Sequence, residues 1–188
     1  MSISVPIDEA AGLLKSAERV LVIGCAGSGK STLARQLALR FDLPYVSMDR
    51  EIFWLPGWKP RPRENAMARL GNIVSGQRWV LDGTSPGTLP LRLPRTHLVL
   101  WLRPPRWMSI YGVVSRWFRF RGRSRPDMAD DCPERLHLDF LAYVWSFEKT
   151  ESPEIQQNLA AFGKHVPVCV LKSRAETVRL LALATSVD

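Results

Sequence analysis

Five short apolar runs alternate with longer stretches in which apolar residues return every three or four positions. The runs are "RVLVIG" (19–24), "LPYVSMD" (43–49), "RWVLDG" (78–83), "THLVLWL" (96–102) and "VPVCVLK" (166–172). The first is continuous and rich in β-branched residues, as a strand covered on both faces should be. The second is the weakest of the set. Helical patterns lie between them, over Lys30–Phe41, Arg63–Val74, Pro105–Phe120, Pro133–Lys149 and Pro153–Phe162. A last helix is predicted from about Ala175 to Ala184, and an extra one, Ile7–Ala17, ahead of the first strand. This alternation predicts an α/β fold with a parallel sheet covered by helices on both faces. In the helix after the fourth strand, Trp107, Ile110, Tyr111, Val114, Trp117 and Phe118 recur at helical spacing and read as a core stripe. Two segments break the rhythm with Pro, Gly and Arg: "FWLPGWKPRPR" (53–63) and "RFRGRSRPDMADDCPE" (119–134). Both follow strand ends, where open α/β folds place their ligands. They read as mobile flaps within one domain spanning residues 1–188.

Composition narrows the class. A chain of 188 residues with 46% apolar content has the material for one full core. No apolar run reaches the ~18 residues needed to cross a bilayer. The N-terminal segment holds acids and no basic region, so it does not read as a signal peptide. Cys25, Cys132 and Cys169 are far apart and odd in number, which points to a reducing, cytoplasmic setting. The net charge is +8. Two kinds of anion suit it, small phosphates and nucleic acid.

One motif decides between broad chemistries. Gly24-x-x-x-x-Gly29-Lys30-Ser31 satisfies the Walker A pattern in full, with a strand before it and an amphipathic helix after it. The small residues from Gly24 through Cys25, Ala26, Gly27 and Ser28 to Gly29 can turn successive N–H groups inward. The following helix N-terminus, at Lys30, Ser31 and Thr32, adds about half a positive charge. Lys30 can reach the β- and γ-phosphates of ATP, and the Ser31 hydroxyl can ligate Mg²⁺. Asp82, closing the third strand, is the second candidate Mg²⁺ ligand. Asp49, closing the second, is a candidate to hold the acceptor or the metal. A GTPase would need DxxG and NKxD, and neither string occurs.

Several further segments carry a more specific pattern. "GCAGSGKSTLARQLA", "VSMDREIFWLPGWKPRPR", "WVLDGT", "LPLRLPRTHLVLWLRPPRW" and "RFRGRSRPDMADDCPERLHLDFLAYVWSF" follow one another in order. Together, over roughly residues 18–174, they resemble the FlaR-related ("DNA topology modulation") small P-loop proteins of the adenylate-kinase-like, nucleoside monophosphate kinase group. The resemblance implies a three-layer P-loop NTPase fold with a five-stranded parallel sheet, an acceptor-binding segment (50–75) and a lid (119–134). It implies ATP-dependent phosphoryl transfer to a small acceptor. Arg119 and Arg123 resemble lid arginines that close over the transferring phosphate, with Arg116 one turn earlier on the same face. Arg92 resembles the arginine that nucleotide kinases place after their Asp-Gly, and so predicts an acceptor contact. Arg174, after the fifth strand, falls where related kinases pack the adenine.

In the acceptor segment, Trp54 and Trp58, with Phe53, can stack a base, and Arg61 and Arg63 can hold a phosphate. "DGTSPGT" stands where nucleotide kinases often carry "DGFPR", so the acceptor is left open between a nucleotide and a hydroxyl metabolite. Asp49 is the candidate base for a hydroxyl. A nucleic-acid-associated or regulatory ATPase is the alternative. Nucleic acid is disfavoured by the core reading of the aromatic stripe and by the acids Asp127, Asp130, Asp131 and Glu134 beside the arginines.

Overall fold

In a computed structural model that describes residues 3–185, the run at 19–24 becomes the central strand of the sheet. In chain order the elements are β1 (Ile3–Ser4), α1 (Ile7–Leu14), β2 (Arg19–Gly24), α2 (Lys30–Arg40) and β3 (Tyr45–Ser47). One π-helical turn, Asp49–Phe53, leads to a hairpin of β4 (Trp54–Leu55) and β5 (Lys59–Pro60). Then come α3 (Arg63–Ser75), β6 (Trp79–Asp82), α4 (Leu89–Arg92), β7 (Leu98–Leu102) and α5 (Arg106–Arg119). The chain ends with α6 (Leu138–Thr150), α7 (Ser152–Phe162), β8 (Pro167–Leu171) and α8 (Arg174–Thr185).

The main sheet has strand order β1-β8-β7-β2-β6-β3, and every pairing is parallel. It has six strands where five were expected. The addition is β1, whose Ile3 and Ser4 pair with Pro167 and Val168 at the edge. Two exposed residues leave no apolar run for a sequence pattern to catch.

Side chains alternate between two cores, as a doubly covered sheet requires. Val20, Val22, Leu98 and Leu100 face α1, α2 and α8, while Leu21, Ile23, Val99 and Trp101 face α3 to α7. Each such buried aliphatic residue contributes about 1.5–3 kcal/mol. β2 sends α2 to one face, while its neighbours β6 and β7 send α4 and α5 to the other. A crevice therefore opens at the C-terminal end of β2, where ligands bind in such folds.

Two helices depart from expectation. The stripe of α5 is only partly core: Trp107, Tyr111 and Phe118 are 62%, 61% and 66% exposed, while Ile110, Val114 and Trp117 are half-buried and Ile110 packs against the core. The residues of α5 that are buried are Ser109 and Val113. The reason is a close backbone approach. A Cβ built on Gly112 would stand 2.1 Å from the Gly27 carbonyl oxygen, so the small-residue side of α5 must face inward. α6 begins at Leu138 rather than Pro133. Residues 133 and 134 are occupied elsewhere: Pro133 bridges Ser124, and Glu134 pairs with Arg116 and Arg125. Among the described residues no helix is long and apolar enough to cross a membrane.

Candidate functional site

The end of β2 turns into the glycine-rich loop and then into α2. Gly29, at φ +99°, occupies the left-handed region that glycine favours, directly before the first helical turn. Gly27, at φ +77°, is the point where the loop meets α5. A Cβ there would stand 2.1 Å from the Ser109 carbonyl oxygen. Loop and helix thus touch through bare backbone on both sides of the seam. On the other flank, the Thr84 hydroxyl accepts from the Gly24 N–H at 2.9 Å and donates to the Gly24 carbonyl at 2.5 Å.

Lys30 donates to the Cys25 carbonyl at 2.8 Å, closing the loop on itself. Burial pulls the Lys30 pKa down, and the nearby Asp82 carboxylate opposes that shift. Asp82 is 4% exposed. Its Oδ2 accepts from the Tyr45 hydroxyl at 3.1 Å, while its Oδ1 is buried with no hydrogen-bond partner among the described residues. Burial pushes its pKa up, against the pull of Lys30. A buried carboxylate oxygen left unpartnered beside Lys30 and Ser31 is the donor expected of a cation site.

These groups open on a cavity of about 440 Å³. Of the residues singled out from sequence, Gly24, Ala26, Gly27, Gly29, Lys30, Ser31, Thr32, Asp49, Phe53, Asp82, Arg116, Arg119 and Arg174 line it. Cys25 and Ser28 do not. The Cys25 thiol points to the Val144 carbonyl at 3.7 Å, and burial raises its pKa to about 11. Ser28 lines a separate hollow of about 20 Å³ with Leu102, Met108 and Arg174.

The acceptor side differs more from expectation. Arg92 does not reach the cavity. It is fully buried and donates to the carbonyls of Gly83 (2.7 Å), Thr84 and Ser85 (3.1 Å). Burial lowers its pKa to about 9, still charged at neutral pH. Arg92 thus holds the loop after Asp82, and through Thr84 that loop holds Gly24. Arg61 donates to the Ile52 carbonyl at 3.0 Å, and Arg63 lies exposed at the start of α3. Trp54 and Trp58 pack edge to face at 5.1 Å and join Met128, Ala129 and Cys132 in a small apolar cluster. The Trp58 indole donates to the Pro133 carbonyl at 3.1 Å.

Those contacts fasten the expected lid onto the acceptor segment. Its centre is Arg125, 8% exposed, which pairs with Asp49 (3.1 Å), Asp127 (2.9 Å) and Glu134 (2.5 Å). The Ser47 hydroxyl donates to the Asp127 carbonyl at 2.7 Å. Arg116 pairs with Glu134 at 3.0 Å and lines the cavity beside Arg119. Arg123 is exposed and lies outside the cavity lining.

Sequence reasoning passed over part of the lining. Arg35 and Arg125 line it, as do Phe140, Tyr143 and Phe147 of α6, and so does Asp127, expected only as an acid beside the arginines. The three aromatics stand at i, i+3 and i+7, a helical face whose spacing was readable in advance.

No protein-family model matches the chain, and no curated protein matches it by sequence. Solved structures do. A shikimate kinase from Acinetobacter baumannii in complex with shikimate superposes with TM-score 0.59 at 16% identity, over 92% of this chain and 93% of that one. A shikimate kinase from Bacteroides thetaiotaomicron gives TM-score 0.51 at 14% identity, over 89% and 95%. None of these structures carries the FlaR-related label. At such identity the likeness is one of fold: the chain shares the α/β architecture of these two structures over nearly the whole length of each.

Proposed function

We propose that the protein is an ATP- and Mg²⁺-dependent kinase that transfers the γ-phosphoryl group to a small acceptor through a hydroxyl. One observation carries the reading: a single cavity joins the Lys30–Ser31 cradle, the unpartnered Asp82 oxygen and Asp49. A regulatory nucleotide site has no need of the last of these.

Phosphoryl transfer asks mainly for position and charge. The loop amides and Lys30 hold the β- and γ-phosphates, Lys30 exchanging the Cys25 carbonyl for phosphate oxygen. Ser31 and Asp82 would hold Mg²⁺, which offsets charge on the phosphates when bound. Arg119, with Arg116 in the place expected of Arg123, faces the transferring group. Arg174 sits at the nucleotide end. Asp49, with one oxygen held by Arg125, takes the acceptor proton.

The hydroxyl assignment follows from the engaged cations. Of the arginines that would grip an acceptor phosphate, Arg92 and Arg61 are held on backbone carbonyls and Arg125 on three carboxylates, while Arg63 lies exposed outside the cavity lining. The test incubates the protein with [γ-³²P]ATP, Mg²⁺ and panels of hydroxyl metabolites, nucleoside monophosphates and DNA. Label on a hydroxyl metabolite is expected. Label on monophosphates alone overturns the acceptor class, and DNA-dependent release of free phosphate overturns the kinase.

A further inference from the structure

The structure assigns the acceptor a flat, uncharged ring, read by the aromatic face of α6. This rests on the kinase reading above and names the substrate class within it.

Phe140, Tyr143 and Phe147 line the cavity from one face of α6. Phe140 and Tyr143 stack at 6.2 Å with an 18° interplanar angle, and Tyr143 meets Phe147 edge on at 5.9 Å. Phe53 joins them from the turn that begins at Asp49. Tyr143 is 40% exposed, so a large aromatic surface is left wet at the edge of a cavity. Such a surface gains most from another ring, through offset or edge contacts.

The wall also stands in the right place. Val144, next to Tyr143 in sequence, takes the Cys25 thiol on its carbonyl, so α6 abuts the phosphate loop. A ring resting on Phe140 and Tyr143 lies between that loop and the Asp49 turn. A hydroxyl carried on a saturated carbon attached to the ring, directly or through a sugar, then has Asp49 on one side and the γ-phosphate on the other. Charge completes the description. Of the cations that line the cavity, Arg35, Arg116 and Arg125 are paired with Asp49, Asp127 and Glu134, and Lys30, Arg119 and Arg174 are assigned above to ATP. An acceptor without charge of its own leaves those pairs intact. The class is therefore a planar heteroaromatic ring bearing an alcohol, such as a nucleoside or a hydroxymethylpyridine. In the transfer, the acceptor O–H gives its proton to Asp49 and its oxygen bonds to the γ-phosphorus. The bond from that phosphorus to the β–γ bridging oxygen breaks, and ADP leaves with the electron pair.

The experiment offers the protein, with [γ-³²P]ATP and Mg²⁺, three sets of acceptors. These are adenosine, guanosine, cytidine, thymidine and hydroxymethylpyridines; the corresponding nucleoside 5′-monophosphates; and gluconate with shikimate. Label on members of the first set is expected. Tyr143→Leu and Phe140→Leu should each raise the acceptor KM roughly three- to tenfold, the size of one ring–ring contact. The ATP KM should stay within about twofold, because the cradle is untouched. Tyr143→Phe should keep the wild-type acceptor KM, since the ring and not the hydroxyl makes the contact. Label confined to gluconate or shikimate overturns the ring, and label confined to monophosphates overturns its lack of charge, while the kinase stands. Label on nothing overturns the kinase. Calorimetric titration of adenosine and hydroxymethylpyridine then decides the ring alone, and absence of binding overturns it too.

Discussion

The two halves of the cavity are held by different means. The half proposed to take the nucleotide is made of backbone: loop amides, a helix N-terminus, and a seam in which Gly27 and Gly112 meet without side chains. The half proposed to take the acceptor is made of side chains that hold one another, with Arg125 on three carboxylates and Trp58 on the segment expected to be a lid. A backbone site is specified by a short local pattern. A side-chain site depends on which distant segments arrive together, and a residue of the right type can be claimed by a structural task first.

The largest test of this contrast is Lys30→Ala. Removing one placed cation should cut phosphoryl transfer about a hundred- to thousandfold. The chain should still fold, with a melting temperature lowered only by the loss of one loop hydrogen bond and of the charge beside Asp82. Retained transfer would break the claim that this half is a phosphate cradle. Next is Gly112→Ala. Its Cβ would sit at 2.1 Å from the Gly27 oxygen, and overpacking of that kind costs about 1–3 kcal/mol. The expected result is an ADP affinity lower by on the order of tenfold in calorimetry. Gly71→Ala on α3, where a Cβ meets nothing within 4 Å, is the control. Wild-type ADP binding by Gly112→Ala would show that the seam does not set the cradle.

Arg92→Met sharpens the comparison from the other side. It leaves the carbonyls of Gly83, Thr84 and Ser85 without their donor, and should lower the unfolding free energy by about 3 kcal/mol in urea titration. Unchanged stability with a raised acceptor KM would return Arg92 to the role its sequence position predicts. The smallest effect belongs to Arg63→Ala. An exposed residue at a helix start should change stability by less than about 0.5 kcal/mol and leave both KM values alone. A clear rise in acceptor KM would place a phosphate-holding cation on α3.

How far the sequence could be read follows the same division. The cradle, and the carboxylates Asp49 and Asp82 at strand ends, were legible because strand, turn and helix sit within a few residues of one another. The face of α5 was not. Its aromatic periodicity is real, but periodicity marks an apolar face without saying that anything covers it. What turned the helix was Gly112, whose partner lies 85 positions earlier, at Gly27. Arg92 and Arg61 were identified as cations with a ligand to hold. Their ligands turned out to be peptide carbonyls, which no residue pattern distinguishes from phosphate oxygens. The α6 wall was readable as a helical face, yet where it begins depends on Pro133 and Glu134, which are engaged elsewhere and delay the helix until Leu138.

The Gly27–Gly112 seam also bears on how the molecule can be recombined with relatives. A chimera joined anywhere between those two positions takes its loop from one parent and its fifth helix from the other. It will keep its nucleotide half only if both parents place a residue without a Cβ on their own side of the junction. Sequence exchange within either partner's own stretch is free of that condition, so the natural module boundaries of this protein are set by a contact and not by a linker.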